Sequence, residues 1–488
     1  MFLSFMDRAL VRRYLVDCAV ERAGVGRLLD DRQIPDGTPV FLDEASMLPV
    51  EPLCSWFRHL AYEGKDTKTL REYAYIARRL VHFLMSRGRD LLAATESDLR
   101  AYHGLRTQVQ DRPVGHSAWS KEAQLINQLY RWLHEHGHVT RRPLRLTRAG
   151  RTLLTPRMRH GMDIRHLSLA QYQYFRDVGL GGQLPDSRAN RAFRGRTALR
   201  NRAAADLALS TGMRAQEWST VLLPELGVGH RRPGESVEFG VQACAKYGRH
   251  REIFVPAGAV DAVENFLLVE RPDLVAASAR PLGRRHRELF VVDRIDREAG
   301  TLQGVLDGRR RTFVMAGMSP ALRHVTVQEV EGGLESLAVF IGHGGRMLGA
   351  SSWYRIRCAA WERMRAHCGA LQAPLMPRRR WRWHDLRHSF ALQLLSYLEQ
   401  QMDGDEPDAV VRRRRHLAYL GGNIKHNPLL IVSRRLGHAS PATTYEYLEY
   451  ADDPVNTVDA AFREWLVQDG DTYAVIARNL LAHTSTAG

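Results

Sequence analysis

The chain is predicted to be mainly α-helical with a small β-sheet or hairpin, divided into more than one domain, and three observations carry that prediction. Its 488 residues exceed one ordinary domain, for which about 100 to 200 is typical. From Leu53 to Leu133 apolar residues recur at spacings of three and four, the period of a helix that packs one face. Val237 to Val255 instead alternates around Tyr247-Gly248-Arg249, as a β-hairpin does.

Taken in chain order, residues 1–45 combine a short amphipathic stretch with the turn-rich Pro35-Asp-Gly-Thr-Pro39 and suggest no function. Leu70, Tyr73, Ala77, Leu80 and Leu84 place one apolar stripe on the segment after Thr69. Thr95-Glu-Ser-Asp98 has the pattern of a capping box ahead of Leu99 and Tyr102. A further helix carries Leu125, Ile126, Leu129, Tyr130 and Leu133, and Gly137 stands where a left-handed residue would stop it. These elements make a helical bundle over 46–145. Residues 146–164, rich in arginine with Pro156, form a basic linker. Beyond it, Ala203 to Leu209, 351–400 and 455–467 are expected to be helical, with insertions near 275–335 and 400–430 that hold Arg280 to Arg311 and Arg412 to Arg415.

Lys and Arg number 70 against 54 Asp and Glu, a net charge of +16 that favours a polyanionic partner, most often nucleic acid. The five cysteines, Cys18, Cys54, Cys244, Cys358 and Cys368, are widely spaced without a C-x-x-C pair, so buried reduced thiols are expected. Asp7, Arg8, Arg12 and Arg13 interrupt any signal-peptide core, and no run approaches the ~18 apolar residues of a membrane span. A soluble, cytoplasmic protein is expected, with no metal and no cofactor, because no acidic, histidine or cysteine cluster has metal-site spacing.

Three short segments carry the chemistry. In Leu207-Ala-Leu-Ser-Thr-Gly-Met-Arg214-x-x-Glu217, Arg214 and Glu217 stand three apart on an expected helix, a spacing that also suits a simple surface ion pair. His384-Asp-Leu-Arg387-His388 puts His384 and Arg387 on one helical face, with Trp381 and Trp383 available to pack that helix. Leu436-Gly-His438 precedes Thr443-Thr444 and Tyr447, which lies nine residues after His438. A second Gly-His, Gly342-His343, has Ser352 at the ninth position and is assigned to a loop. Guanidinium groups contact two phosphate oxygens at once and stay charged, and a histidine can donate to phosphate or take a proton.

Together these boxes, in the order Arg214, Lys246, His384-x-x-Arg387, His438, Tyr447, resemble the tyrosine recombinase (phage integrase) family, and 50–145 resembles the SAM-like core-binding domain that precedes its α+β catalytic domain. The resemblance implies a catalytic domain over 165–452 and a tail over 453–488 whose apolar face, Val458, Phe462, Trp465 and Leu466, either folds back as core or, as the resemblance implies, docks on a neighbouring subunit. It implies a site-specific recombinase or integrase of a mobile element. Such an enzyme acts on double-stranded DNA as a homo-oligomer (tetramer) in the nucleoid and needs neither metal nor ATP. Tyr447 would form a 3′-phosphotyrosyl bond, Arg214, His384, Arg387 and His438 would stabilise the transition state, and Glu217 would support Arg214. Lys246 would protonate the leaving 5′ oxygen, against the plainer reading of an exposed hairpin charge. His388 is expected to be structural. The alternatives are a type IB topoisomerase-like relaxase and a catalytically silent DNA-binding regulator. On a helix Tyr445 projects about 200° from Tyr447, so Tyr445 and Tyr450 cannot replace it.

Overall fold

The structure is a computed structural model that describes residues 1–8, 10, 11, 31, 33–109, 111, 113–145, 148, 152, 154, 155, 164–232, 234–377, 379–403, 428–438, 442–445 and 447. Most of the basic linker, the 404–427 stretch with Arg412 to Arg415, Tyr450, Cys18 and the tail face after Val458 lie outside the described residues. The chain divides into two compact units, Met1–His160 and Gly161–Gly488. Helices dominate the first, and the second mixes helices with two small sheets.

In the first unit, strands β1 (Phe2–Phe5) and β2 (Pro39–Leu42) pair antiparallel, with Phe2 opposite Leu42. Part of 1–45 is thereby tied to the helical core, where Met1 and Phe41 are buried. Helices α1 (Leu53–Tyr62), α2 (Thr67–Ser86), α3 (Glu96–Gly104) and α4 (His116–Glu135) supply the rest. On α2 Leu70, Ala77, Leu80 and Leu84 of the expected stripe are buried together with Ala74, Ile76 and Val81, while Tyr73 is only partly buried; each larger buried side chain contributes roughly 1.5–3 kcal/mol by leaving water. Thr95 and Asp98 form a reciprocal capping box at the start of α3. Gly137 has φ +73°, and the His138 amide bonds back to Leu133 O at 2.8 Å, closing α4. Inside this unit Glu122 accepts from Tyr102 Oη and Arg106 Nε, both at 3.0 Å, so a carboxylate buried on α4 is fully used.

The second unit opens with α5 (Leu169–Tyr174), capped by Ser168 and Gln171, and continues to α6 (Ala198–Thr211) and the short α7 (Ala215–Ser219). Strands β3 (Val237–Val241) and β4 (Arg251–Val255) form the expected hairpin, with Val237 opposite Val255, followed by α8 (Ala257–Val269). The segment near 275–335, for which no strands are expected from the sequence, contains a five-stranded sheet in the order β7-β6-β5-β8-β9: β5 (Phe290–Asp296), β6 (Thr301–Leu306), β7 (Arg309–Val314), β8 (Thr326–Val330) and β9 (Gly333–Ser336). Only the β5–β8 pair is parallel. Buried Arg323 fastens this insertion to the main body by contacting both oxygens of Glu225 at 2.6 Å.

The helical stretch expected over 351–400 is two helices, α9 (Ala350–Ala366) and α10 (Trp383–Asp403). Beneath them Trp218, Trp353, Trp381 and Trp383 pack edge to face, with Trp218 4.7 Å from Trp353 and Trp381 5.2 Å from Trp383. Thus Trp381 and Trp383 anchor the start of α10 in the core. After it come α11 (Pro428–Leu436) and α12 (Ala442–Tyr445). Cys54 and Cys244 are buried as expected, but Cys358, on α9, is partly exposed, and Cys368, in the turn after that helix, is exposed. Among the described residues no helix is long and apolar enough to cross a membrane.

Candidate active site

The site is assembled where α6 ends. Gly212 closes that helix at φ +60°, and a Cβ there would lie 2.3 Å from Phe390 Cδ1, so the left-handed turn and the close approach of α10 both require glycine. The chain then reverses into Arg214, the N-cap of α7. The Arg214 amide donates to Glu217 Oε2 at 2.7 Å and its Nη1 to Oε1 at 3.2 Å. Glu217 is fully buried, and Arg251 of β4 contacts it through Nη2 while donating through Nη1 to the Arg435 carbonyl. One carboxylate therefore serves two arginines.

Arg387 on α10 is 2% exposed, donates to Gly212 O at 2.7 Å and also contacts Leu436 O. Both of those acceptors are neutral carbonyls. Burial pushes its guanidinium down to about 9, and repulsion from Arg214 and Arg251 adds to the effect. His384, one turn before it, is exposed on its outer side, and loss of solvent around the ring, then Arg387 and Arg214, lower its proton affinity. Lys246 sits exposed on a single turn at the tip of the β3–β4 hairpin, close enough to repel a proton on His384.

His438 follows α11 at Gly437, whose φ is +63° and whose missing Cβ leaves room for Arg251 Cδ. Its Nδ1 is 2.8 Å from Thr444 Oγ1, and its ring lies parallel to that of Tyr447 with centroids 6.3 Å apart. Burial, followed by Arg387 and Arg214, drives His438 down to about 3. Tyr447 is 1% exposed and its hydroxyl is 2.8 Å from His388 Nδ1. His388 is itself buried and pushed to about 3, first by burial and then by His384 and Arg387.

Arg214, Glu217, His384, Arg387, His438 and Tyr447, drawn from three distant segments, thus come together around one phenol, with Lys246 at the rim. The sequence does not single out Arg251, and it assigns His388 a structural role. Arg251 shares a strand face with buried Ile253 and Val255, and a charge on an apolar face is the signal that it must be partnered. His388 is four residues after His384, hence on the same helical face, and it touches Tyr447 rather than serving only as packing. Tyr447 lies just past α12 in a turn, so helical projection does not separate it from Tyr445; burial does, since Tyr445 is 37% exposed. His343 is an exposed turn residue, as its flanking glycines suggest. Among the described residues no group of three or more His, Cys, Asp or Glu side chains is placed to hold a metal ion.

No family model matches the chain, and no curated protein matches it. Among solved structures it is similar to a XerH site-specific recombinase bound to palindromic difH substrate in a post-cleavage complex, with 13% identity over 84% of this chain and 83% of that one and a TM-score of 0.42. A pre-cleavage XerH complex with difH substrate gives 14% identity, 83% of each chain and a TM-score of 0.39. The Tn1549 transposon integrase in complex with circular intermediate DNA gives 11% identity, 80% of this chain, 92% of that one and a TM-score of 0.41.

Proposed function

We propose that this protein is a tyrosine-type site-specific DNA recombinase that cleaves and rejoins double-stranded DNA through a 3′-phosphotyrosyl intermediate. The observation that carries the reading is electrostatic. Tyr447 sits among Arg214, Arg251, Arg387, His384 and His438, while Glu217 is the carboxylate that contacts this set, so the free site holds an excess of cations. Proteins maintain such mutual repulsion where an anion is to be bound, and a phosphodiester passing to a pentacoordinate transition state gains negative charge there.

In this mechanism the Tyr447 oxygen attacks phosphorus, Arg214 and Arg387 hold the non-bridging oxygens, and His384 and His438 donate to the same oxygens. Lys246 protonates the departing 5′ oxygen. The phosphotyrosyl bond keeps the energy of the phosphodiester, so rejoining needs no ATP. Preorganised donors of this kind contribute ~10²- to 10³-fold each, which lets fixed side chains do the work of a bound metal. Contacts from both units to the duplex, and assembly of several copies on it, complete the proposal.

The test is covalent trapping on a nicked suicide duplex in excess EDTA. The wild-type chain is expected to give an adduct whose nucleotide maps to Tyr447 by mass spectrometry. Tyr447→Phe should bind the duplex as tightly and give none, while Tyr445→Phe still gives it. A nucleotide on Tyr445 or Tyr450, or cleavage that chelation abolishes and magnesium restores, overturns the assignment. Strand exchange between two duplexes, rather than relaxation of one, separates a recombinase from a topoisomerase.

A further inference from the structure

We propose that His388, rather than His384 or His438, takes the proton of Tyr447 as the tyrosyl–phosphate bond forms; the proposal rests on the recombinase reading above and assigns its missing base. A general base must stand within hydrogen-bond reach, about 2.6–3.2 Å, of the proton it removes. His388 Nδ1 is 2.8 Å from the Tyr447 hydroxyl, and both residues are buried. His438 instead directs Nδ1 to Thr444 Oγ1 and presents its ring parallel to Tyr447 at 6.3 Å. His384 lies on the solvent side of His388, with ring centroids 4.7 Å apart, which suits it to meet the phosphate rather than the phenol.

The groups facing His388 decide its protonation. On its own helix these are His384 and Arg387; from other elements they are His438, His166 and Tyr447. In the free protein burial, with Arg387 and the competing protonation of the neighbouring histidines, keeps the imidazole neutral, so a lone pair on Nδ1 is available, with the ring proton assigned to Nε2. A bound phosphodiester reverses the field. As the Tyr447 Oη–P bond forms, the phenolic proton passes to His388 Nδ1, and the imidazolium so made is balanced by the negative charge growing on phosphorus. The P–O5′ bond breaks and the leaving oxygen takes its proton from Lys246. In rejoining, the incoming 5′-hydroxyl returns a proton to Lys246 and His388 returns its proton to the departing phenol, so no proton is gained or lost over the cycle. Coupling base strength to substrate charge leaves Tyr447 inert until DNA is seated.

The attack step can be isolated with a suicide duplex whose 5′-bridging oxygen is sulfur, because a thiolate departs without a proton. On that substrate wild type, His388→Ala and His388→Asn are compared for adduct rate across pH, with DNA affinity measured in parallel. His388→Asn keeps a polar group near the position of Nδ1 but is not a base. Both variants are expected to bind DNA like wild type and to form adduct about 10²-fold more slowly or worse. Free imidazole should restore His388→Ala in proportion to its unprotonated fraction. Adduct formation within threefold of wild type in either variant, or a loss that imidazole does not relieve, overturns the assignment of His388 while leaving Tyr447 as nucleophile. Failure of the wild-type chain to form any adduct on Tyr447 instead removes the recombinase reading, and this assignment with it.

Discussion

Glu217 shows how much of the site depends on one residue. Its buried carboxylate takes the Arg214 amide and Nη1 on one side and Arg251 on the other, and Arg251 in turn ties β4 to the Arg435 carbonyl ahead of His438. Removing one member of a buried ion pair leaves the other charged and unsolvated, which typically destabilises by about 3–5 kcal/mol. Glu217→Ala should lose that amount in denaturant unfolding, and Glu217→Gln less, because one acceptor remains. A loss under about 1 kcal/mol would show that Arg251 is satisfied without Glu217. At this scale the sequence displayed the residues that lie in short, spaced motifs, Arg214, His384, Arg387, His438 and Tyr447. It did not display Arg251 or the Tyr447 contact of His388, because each gains its partner from a residue 34 or 59 positions away. No local spacing encodes such a pairing.

Elements were legible in proportion to their periodicity. The helices α2, α3 and α4 and the β3–β4 hairpin stand where apolar spacing, a capping box and a turn glycine put them. The sheet from β5 to β9 was hidden for two reasons. Edge strand β7 begins Arg309-Arg310-Arg311, all exposed, so it lacks an apolar alternation, and the parallel β5–β8 contact joins strands separated by a β-hairpin and a short helix. Element ends also matter to the site. At the end of α6 the Gly212 carbonyl accepts from Arg387, while its missing Cβ admits Phe390. Gly212→Ala combines a disfavoured positive φ, about 1–2 kcal/mol, with a clash that must move α10. It should lower stability by more than the backbone term alone and reduce adduct formation at least tenfold while Tyr447 stays unmodified in sequence. A stable and fully active Gly212→Ala protein would show that α10 can shift without displacing Arg387.

Across the whole molecule the burial of histidines beside an excess of cations makes stability depend on pH in a direction that can be worked out. His388 and His438 are held near 3 in the folded chain, whereas an unfolded histidine titrates near 6.5. Above pH 6.5 neither state is protonated at these positions and the folded chain has its full stability. Between about 6.5 and 3 the unfolded chain takes up protons that the folded chain refuses, so unfolding becomes easier as pH falls, by up to about 1.4 kcal/mol per pH unit for each ring. Asp206 and Asp385, raised by burial, take up protons in the folded state above their ordinary 3.8 and so oppose this trend. Glu122 and Asp98, lowered in the first unit, contribute only once pH falls through the carboxylate range. In the window from 6.5 to 5 the histidines lower stability as pH falls, and any proton uptake by the raised carboxyls works against them. The denaturant midpoint of the intact chain should fall across that window, and the double variant His388→Gln/His438→Gln should fall less steeply. Duplex DNA should flatten the wild-type slope as well, because its phosphates supply negative charge that offsets part of the penalty that burial and the neighbouring arginines place on protonation. A wild-type midpoint that stays level from pH 7 to 5, or a double variant with an unchanged slope, would show that these two rings are not held neutral by the site.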